Sequence, residues 1–229
     1  MTEKELLIQG LSQLHLEDAQ AVERLLQFSE LLLERNKVMN LTAVREPMEV
    51  ITRHFLDCAP LVEYAKGKKM VDVGCGAGFP GMPIAMLCDA QVTLLDSLGK
   101  RITFLNESIA TLGMTNAHAV HARAEEFPHR EEFDLATSRA VARLNVLTEL
   151  SLPLVKVGGL FVAMKAVDSQ EEIDEAKNAI RLLGGKLEQC VDYTVPCTEV
   201  VHRLVIIRKI KPTPAKYPRR FGKISAAPL

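Results

Sequence analysis

Three glycines at alternate positions, Gly74, Gly76 and Gly78, follow an acid, Asp72, at the end of the apolar run Met70 to Val73, and lead through Phe79 and Pro80 to Gly81. Glycines so spaced let the backbone turn sharply and let a ligand approach the main chain without a Cβ in the way. Twenty residues after Gly76, Asp96 closes the apolar run Val92 to Leu95 and is followed by Ser97. A carboxylate there can accept hydrogen bonds from both hydroxyls of a ribose. The chemistry these parts serve is the binding of a nucleoside cofactor. Gly76-x-Gly78-x-x-Gly81 fits the dinucleotide pattern, so NAD is allowed by spacing. Phe79 and Pro80, however, put bulk where a pyrophosphate wants bare amides at a helix N-terminus, which favours S-adenosyl-L-methionine (AdoMet).

The elements that must position these residues can be read from periodicity. Residues 2–65 read as helices: Thr2 with Glu5 forms a capping-box pattern, and Val22, Leu25, Leu26, Ser29, Leu32 and Leu33 follow helical spacing. A third helix starts at Pro47 and carries Val50, Ile51, Phe55 and Leu56. Between them, residues 36–46 are polar and turn-rich, a candidate functional loop. From Lys68 onward, β-rich runs at 70–73, 91–96, 117–121, 133–137 and 160–164 alternate with helical stretches at 81–87, 100–112, 143–155 and 169–183. That alternation predicts a mostly parallel sheet covered on both faces. The last two runs, 188–195 and 202–208, lack an intervening helix and should pair antiparallel.

The expected fold is therefore α/β, a Rossmann-like seven-stranded sheet with an antiparallel terminal hairpin, as in class I AdoMet-dependent methyltransferases, preceded by an N-terminal helical segment. The organisation would be a helical segment over 1–66, a methyltransferase domain over 67–209 and a basic, proline-rich tail over 210–229. In methyltransferases of that class the acid ahead of the glycines, here Asp72, helps hold the methionine end of AdoMet. The loop after the third strand, here Ala124 and Glu125, meets the adenine.

The segments Asn40-Leu41-Thr42-Ala43-Val44-Arg45, Arg53-His54-Phe55-Leu56-Asp57, Asp72 to Gly81, Leu95 to Arg101 and Ser138-Arg139-Ala140 resemble, in order and spacing, the bacterial RsmG (GidB) family. The resemblance spans about residues 20–220. It implies an AdoMet-dependent guanine-N7 methyltransferase acting on 16S rRNA, whether in the 30S ribosomal subunit or in an assembly intermediate. It also implies that Gly74, Phe79, Ala124, Glu125 and Arg139 contact the cofactor or line its site, alongside Asp72, Gly76, Gly78, Asp96 and Ser97.

Methylation at guanine N7 uses a ring lone pair that is free at neutral pH, so the enzyme needs position and electrostatics more than a general base. The chain fits: after the fourth strand it carries Thr137-Ser138-Arg139-Ala140 and not the Asn-Pro-Pro-Tyr type of motif used on exocyclic amines. Arg139 is the catalytic candidate, donating to guanine O6 or a phosphate, or else pairing with a carboxylate such as Glu125. Asn40, Thr42, Arg45, Arg53 and His54 are candidates to contact the base from the N-terminal loop and helix, with a structural histidine as the other possibility for His54. Lys100, Arg101 and Lys165 are candidate phosphate contacts. Pro196-Cys197 superficially matches a cytosine-C5 nucleophile but lies between the last two strands, so Cys197 is taken as structural.

Charge adds a partner. Residues 208–229 hold seven Lys/Arg and no acid, including Arg219 and Arg220, which leaves 21 bases against 29 acids, net −8, in the other 207 residues. A basic tail on an acidic body is expected where a polyanion such as RNA is gripped, and also where a solvated tail keeps a chain soluble. With 48% hydrophobic and 25% charged residues the chain is an ordinary globular one. Five cysteines without CxxC spacing argue for reduced thiols in a cytoplasmic protein and against a disulfide frame or metal site. Neither a membrane span nor a signal peptide is expected, and nothing in the pattern speaks to oligomeric state. A methyltransferase for a small molecule or protein, an NAD-dependent oxidoreductase using the same loop, and a non-catalytic AdoMet-binding regulator remain the alternatives.

Overall fold

The computed structural model describes residues 1–139 and 142–229, so Ala140 of the Ser138-Arg139-Ala140 motif lies outside the described residues. The Thr2 hydroxyl accepts from the Glu5 amide at 3.2 Å and the Glu5 carboxylate accepts from the Thr2 amide at 2.7 Å. This reciprocal cap opens α1 (Glu3–Ser12) as its spacing predicts. The Asp18 carboxylate caps α2 (Ala19–Met39), which ends at Asn40 in the left-handed conformation, φ 49°. The helix therefore runs four residues into the stretch expected to be loop. Its last turn holds Asn36, whose buried side-chain amide donates to Thr42 O (3.0 Å) and Val44 O (3.2 Å) and accepts from the Thr42 amide (3.0 Å). A residue that reads as a loop former clamps the 40–46 loop to the helix end.

Pro47 begins α3 (Pro47–Val50), which widens into a π-helical turn over Ile51–Leu56 carrying Arg53 and His54. The short α4 (Val62–Ala65) leads to the sheet. The strands are β1 (Lys69–Val73), β2 (Gln91–Asp96), β3 (Ala117–His121), β4 (Phe133–Arg139), β5 (Val155–Ala166), β6 (Gly185–Thr194) and β7 (Val201–Lys209). Their order is β3-β2-β1-β4-β5-β7-β6, parallel through β5, with β7 antiparallel to both β5 and β6. The crossovers are α5 (Gly81–Leu87), α6 (Gly99–Thr111), α7 (Leu144–Ser151) and α8 (Gln170–Leu182). The expected helix over 143–155 ends early, at Ser151: a 3-10 turn around Pro153 follows, and Val155 already belongs to β5.

Chain order reverses at β1, which pairs β2 on one side and β4 on the other. The carboxyl ends of these three strands deliver Asp72, Asp96 and Arg139 to one edge, where open α/β sheets bind ligands. One sheet face packs against the N-terminal helices, α5 and α6, with Phe28 meeting Phe55, Phe79 and Phe104 at 5.9–6.2 Å between centroids. The other face packs against α7, α8 and a helix the sequence did not signal, α9 (Phe221–Ala226), which buries Ile224.

Much of the basic tail is packed, which corrects the expectation of a solvated tail and removes Lys209 and Arg219 from the cations available to a polyanion. Lys209 is wholly buried, donating to Leu152 O (2.6 Å) and the Thr213 hydroxyl (2.5 Å), 3.2 Å from Glu131. Arg219 grips the wholly buried Glu149, Nε to Oε1 at 2.9 Å and Nη2 to Oε2 at 2.6 Å. These cations are matched by acids far away in sequence, and a charge count along the tail does not reveal them. Lys211, Lys216, Arg220 and Lys223 remain exposed. Among the described residues no helix is long and apolar enough to cross a membrane.

Candidate active site

Gly74, Gly76 and Gly78 all take positive φ (72°, 59° and 101°), so the loop after β1 needs glycine at each. The Gly74 and Cys75 amides donate to Leu95 O, lacing the loop to the end of β2. The glycines differ in task. A Cβ on Gly78 would fall 2.6 Å from the Met82 side chain, and one on Gly81 2.2 Å from that of Leu94, so these two serve packing. A Cβ on Gly76 would meet nothing within 4 Å, the space a ligand needs.

Asp72 is wholly buried. Its Oδ2 accepts the Gly81 amide at 2.8 Å, pinning the start of α5, while Oδ1 is buried without a hydrogen-bond partner. Burial pushes its pKa up to about 7, against the pull of the Gly81 amide. Asp96 accepts the Leu98 amide on Oδ1 (2.8 Å), and on Oδ2 the Gly76 amide (2.9 Å) and the Arg101 guanidinium (3.2 Å). It both braces the glycine loop and helps start α6. Arg101, expected on a phosphate, is turned inward onto Asp96, and Lys100 stands in solvent. Asp96 and Arg101 border a cavity of about 470 Å³ lined also by Gly74, Ser97, Ala124, Glu125 and Phe221. An open glycine face, an orphaned buried carboxylate oxygen and an acid at the second strand end fit AdoMet.

A second cavity, of about 810 Å³, is lined by Thr42, Arg53, His54, Asp57, Arg139, Lys165 and His202, among others. Its hub is Asp57, nearly buried, whose Oδ2 accepts from Arg139 Nη1 (3.0 Å) and whose Oδ1 accepts from the Tyr193 hydroxyl (2.9 Å) and His202 Nδ1 (2.7 Å). The partner of Arg139 is therefore Asp57 and not Glu125, which lies in the first cavity, 3.9 Å from Arg123. Arg139 Nη1 also donates to Arg53 O (3.1 Å). His54 Nδ1 lies between Arg139 Nη2 (3.1 Å), a donor, and Arg53 O (3.0 Å), an acceptor, and its Nε2 is paired with the Thr42 hydroxyl (2.9 Å). Burial, reinforced by the Arg139 charge, lowers the His54 pKa to about 4, so the imidazole is neutral. The Thr42 hydroxyl also accepts the Val44 amide at 3.1 Å.

Phe79 was expected at the cofactor. Its ring is buried, stacked on His54 at 4.3 Å, with the Arg139 guanidinium 5.1 Å from its centroid. It is the floor of the second cavity's network. Lys165 lines that cavity while donating to Ala142 O (2.7 Å) and Glu172 (2.5 Å). Of the other expected contacts, Asn40 terminates α2, Arg219 is spent on Glu149, and Arg45 and Arg220 are exposed beside the lining residues Val44 and Phe221 without lining either cavity themselves. Cys58 and Cys75 are buried with thiols pushed well up by desolvation, and Cys197 is half-buried against Gln13. Asp57, Tyr193 and His202 went unselected from sequence. Asp57 stood in the Arg53–Asp57 motif; Tyr193 and His202 are cross-strand partners in the β6–β7 hairpin, a pairing that becomes visible only in the fold.

Residues 21–201 match the family described as rRNA small subunit methyltransferase G. Proteins named Ribosomal RNA small subunit methyltransferase G are 46% identical from Clostridium perfringens (strain 13 / Type A), over 215 residues and 90% of each chain. The one from Alkaliphilus metalliredigens is 46% identical over 239 residues and 100% of each chain. Among solved structures, M. jannaschii TYW2 in complex with AdoMet superposes with TM-score 0.56 at 15% identity, covering 67% of this chain and 75% of that one. Geranyl diphosphate C-methyltransferase from Streptomyces coelicolor, solved with S-adenosyl-L-homocysteine, gives 0.53 at 12% identity, over 67% and 78%. At these identities the structural likeness speaks for the fold.

Proposed function

The chain belongs to the family of rRNA small subunit methyltransferase G, and from that premise we propose that it is the AdoMet-dependent enzyme that methylates N7 of one guanine in 16S rRNA, within the 30S subunit or an assembly intermediate. The observation that carries the reading is the family match over residues 21–201, and the choice of N7 follows from the motif resemblance to the same family. N7 attacks through a lone pair that carries no proton, so the second cavity has only to hold and orient the base.

Bound AdoMet supplies an electrophilic methyl group. The chain would hold it with the open face at Gly76, the carboxylates of Asp72 and Asp96, Ser97, and the Ala124–Glu125 turn. Arg139 keeps Nε and one Nη2 N–H unbonded to the described residues, on a side chain that lines the cavity. One such donor on guanine O6 orients the ring and leaves N7 bare. Its other bonds, to Asp57 and His54, stop the fork from swinging to cover N7 as well. Lys165 supplies a cation for base or phosphate. Attack leaves positive charge on the purine, and the Asp57 carboxylate helps to offset it. Family membership gives no support to the oxidoreductase alternative.

The test is transfer of labelled methyl from AdoMet to small ribosomal subunits that lack the modification, followed by mapping. One labelled guanine, with the label at N7, is expected. Label on an exocyclic amine, or no label in RNA at all, would overturn the assignment.

A further inference from the structure

We propose that the C-terminal segment is a wall of the cofactor site and that Phe221 packs against the adenine ring of AdoMet; this rests on the AdoMet assignment above. Phe221 is 41% exposed, yet it lines the cavity of Asp96, Ala124 and Glu125. Its helix, α9, is anchored one turn on by the fully buried Ile224, so the phenyl group is presented while the backbone is fixed. Leu150, Ala122, Ala124 and Ala142 share that lining, and the buried Asp72 carboxylate is not part of it. They give the cavity wall apolar surface, suited to a purine face.

The segment is placed by an unusual number of specific contacts. Two residues before Phe221, the Arg219 amide and guanidinium both bond Glu149, and Arg219 Nη1 donates to Ala227 O at 3.0 Å, closing a loop around α9. Glu149 is wholly buried on α7, next to Leu150 of the cavity wall. Arg130 donates to Thr213 O (2.5 Å), Pro214 O (3.2 Å) and Tyr217 O (2.6 Å). A buried ion pair is a poor source of net stability and a good way to fix one position. The position fixed here is that of an aromatic ring at the mouth of a nucleoside cavity.

The chain contains no tryptophan, so Phe221→Trp introduces a single emitter at the proposed contact. In the full-length protein, calorimetry should show Phe221→Ala binding both AdoMet and S-adenosylhomocysteine about tenfold more weakly with an unchanged ligand-free melting temperature. Phe221→Trp should bind within about threefold of wild type, and S-adenosylhomocysteine should quench its emission saturably, with the midpoint found by calorimetry. Wild-type affinity in Phe221→Ala, or unaltered emission from a Phe221→Trp protein that binds the ligand, would overturn the proposal while leaving the cofactor assignment in place. Failure of the wild-type protein to bind AdoMet would overturn both.

Discussion

The two cavities on the carboxyl edge of the sheet are made in different ways. The nucleoside side takes its polar groups from the ends of β1 and β2 and from the turn after β3, each in a short motif whose chemistry is visible in one dimension. The base side draws on the 40–46 loop, a π-helical turn, the end of β4 and the terminal hairpin, and its hub bond joins residues 145 positions apart. The first is a local motif that the fold displays. The second is an assembly that exists only once the N-terminal helices and the β6–β7 hairpin have closed on Arg139. Separate construction implies separable function: changes to the Asp57 network should strike transfer and spare cofactor binding, and changes at Asp96 should do the reverse.

The largest effect is expected at the hub. Asp57→Asn keeps the shape but removes the charge facing Arg139 and His202, and should lower methyl transfer at least about a hundredfold with the AdoMet Kd within about threefold of wild type. Parallel loss of cofactor affinity by calorimetry would break the separation. Next comes the pH dependence of Asp72. Its folded pKa, near 7, lies above that of an ordinary carboxylate. The folded protein therefore keeps a proton that the unfolded chain has released, and the associated stability, full below about pH 4, is lost as pH rises through 7. Urea melts at pH 5 and pH 8 should show wild type losing about 2 kcal/mol relative to Asp72→Asn over that interval. A constant difference between the two proteins would contradict the burial of an uncompensated carboxylate.

Asp96→Ala should weaken AdoMet about tenfold, the worth of hydrogen bonds to a charged acceptor, while leaving affinity for RNA unchanged. Calorimetry with and without RNA decides it. The smallest effect belongs to the exposed tail cations. Lys216→Gln with Lys223→Gln should reduce RNA affinity a few-fold and flatten its salt dependence, without altering AdoMet binding. An unchanged salt slope would remove the tail from the RNA path altogether.

Strand positions were legible where burial on both faces leaves a continuous apolar run, as at Gln91–Asp96. The bounds of the edge strand Ala117–His121 also match those expected, although only Ala117 in it is buried. Arg139 was legible because it ends such a run. Its partner was not, because Glu125 and Asp57 are equally good acids until the fold places them 3.9 Å from Arg123 and 3.0 Å from Arg139 respectively. Asn36 shows the same limit at the level of a helix end: its amide can cap, turn or clamp, and only the 40–46 loop determines which. The tail misled through composition, since prolines and cations suggest solvation unless the buried Glu149 and the half-buried Glu131 are seen to wait for Arg219 and Lys209.

The central claim is that Arg139 serves the base and not the cofactor. Arg139→Lys retains a cation beside Asp57 but loses the planar fork, so the fold is kept while the geometry is spoiled. The decisive measurement is single-turnover methyl transfer to unmodified small subunits by Arg139→Lys, with the AdoMet Kd of the same preparation. Transfer should be slowed at least about a hundredfold with the Kd within about threefold of wild type. Transfer at the wild-type rate, or a Kd raised in proportion to the lost rate, would contradict it.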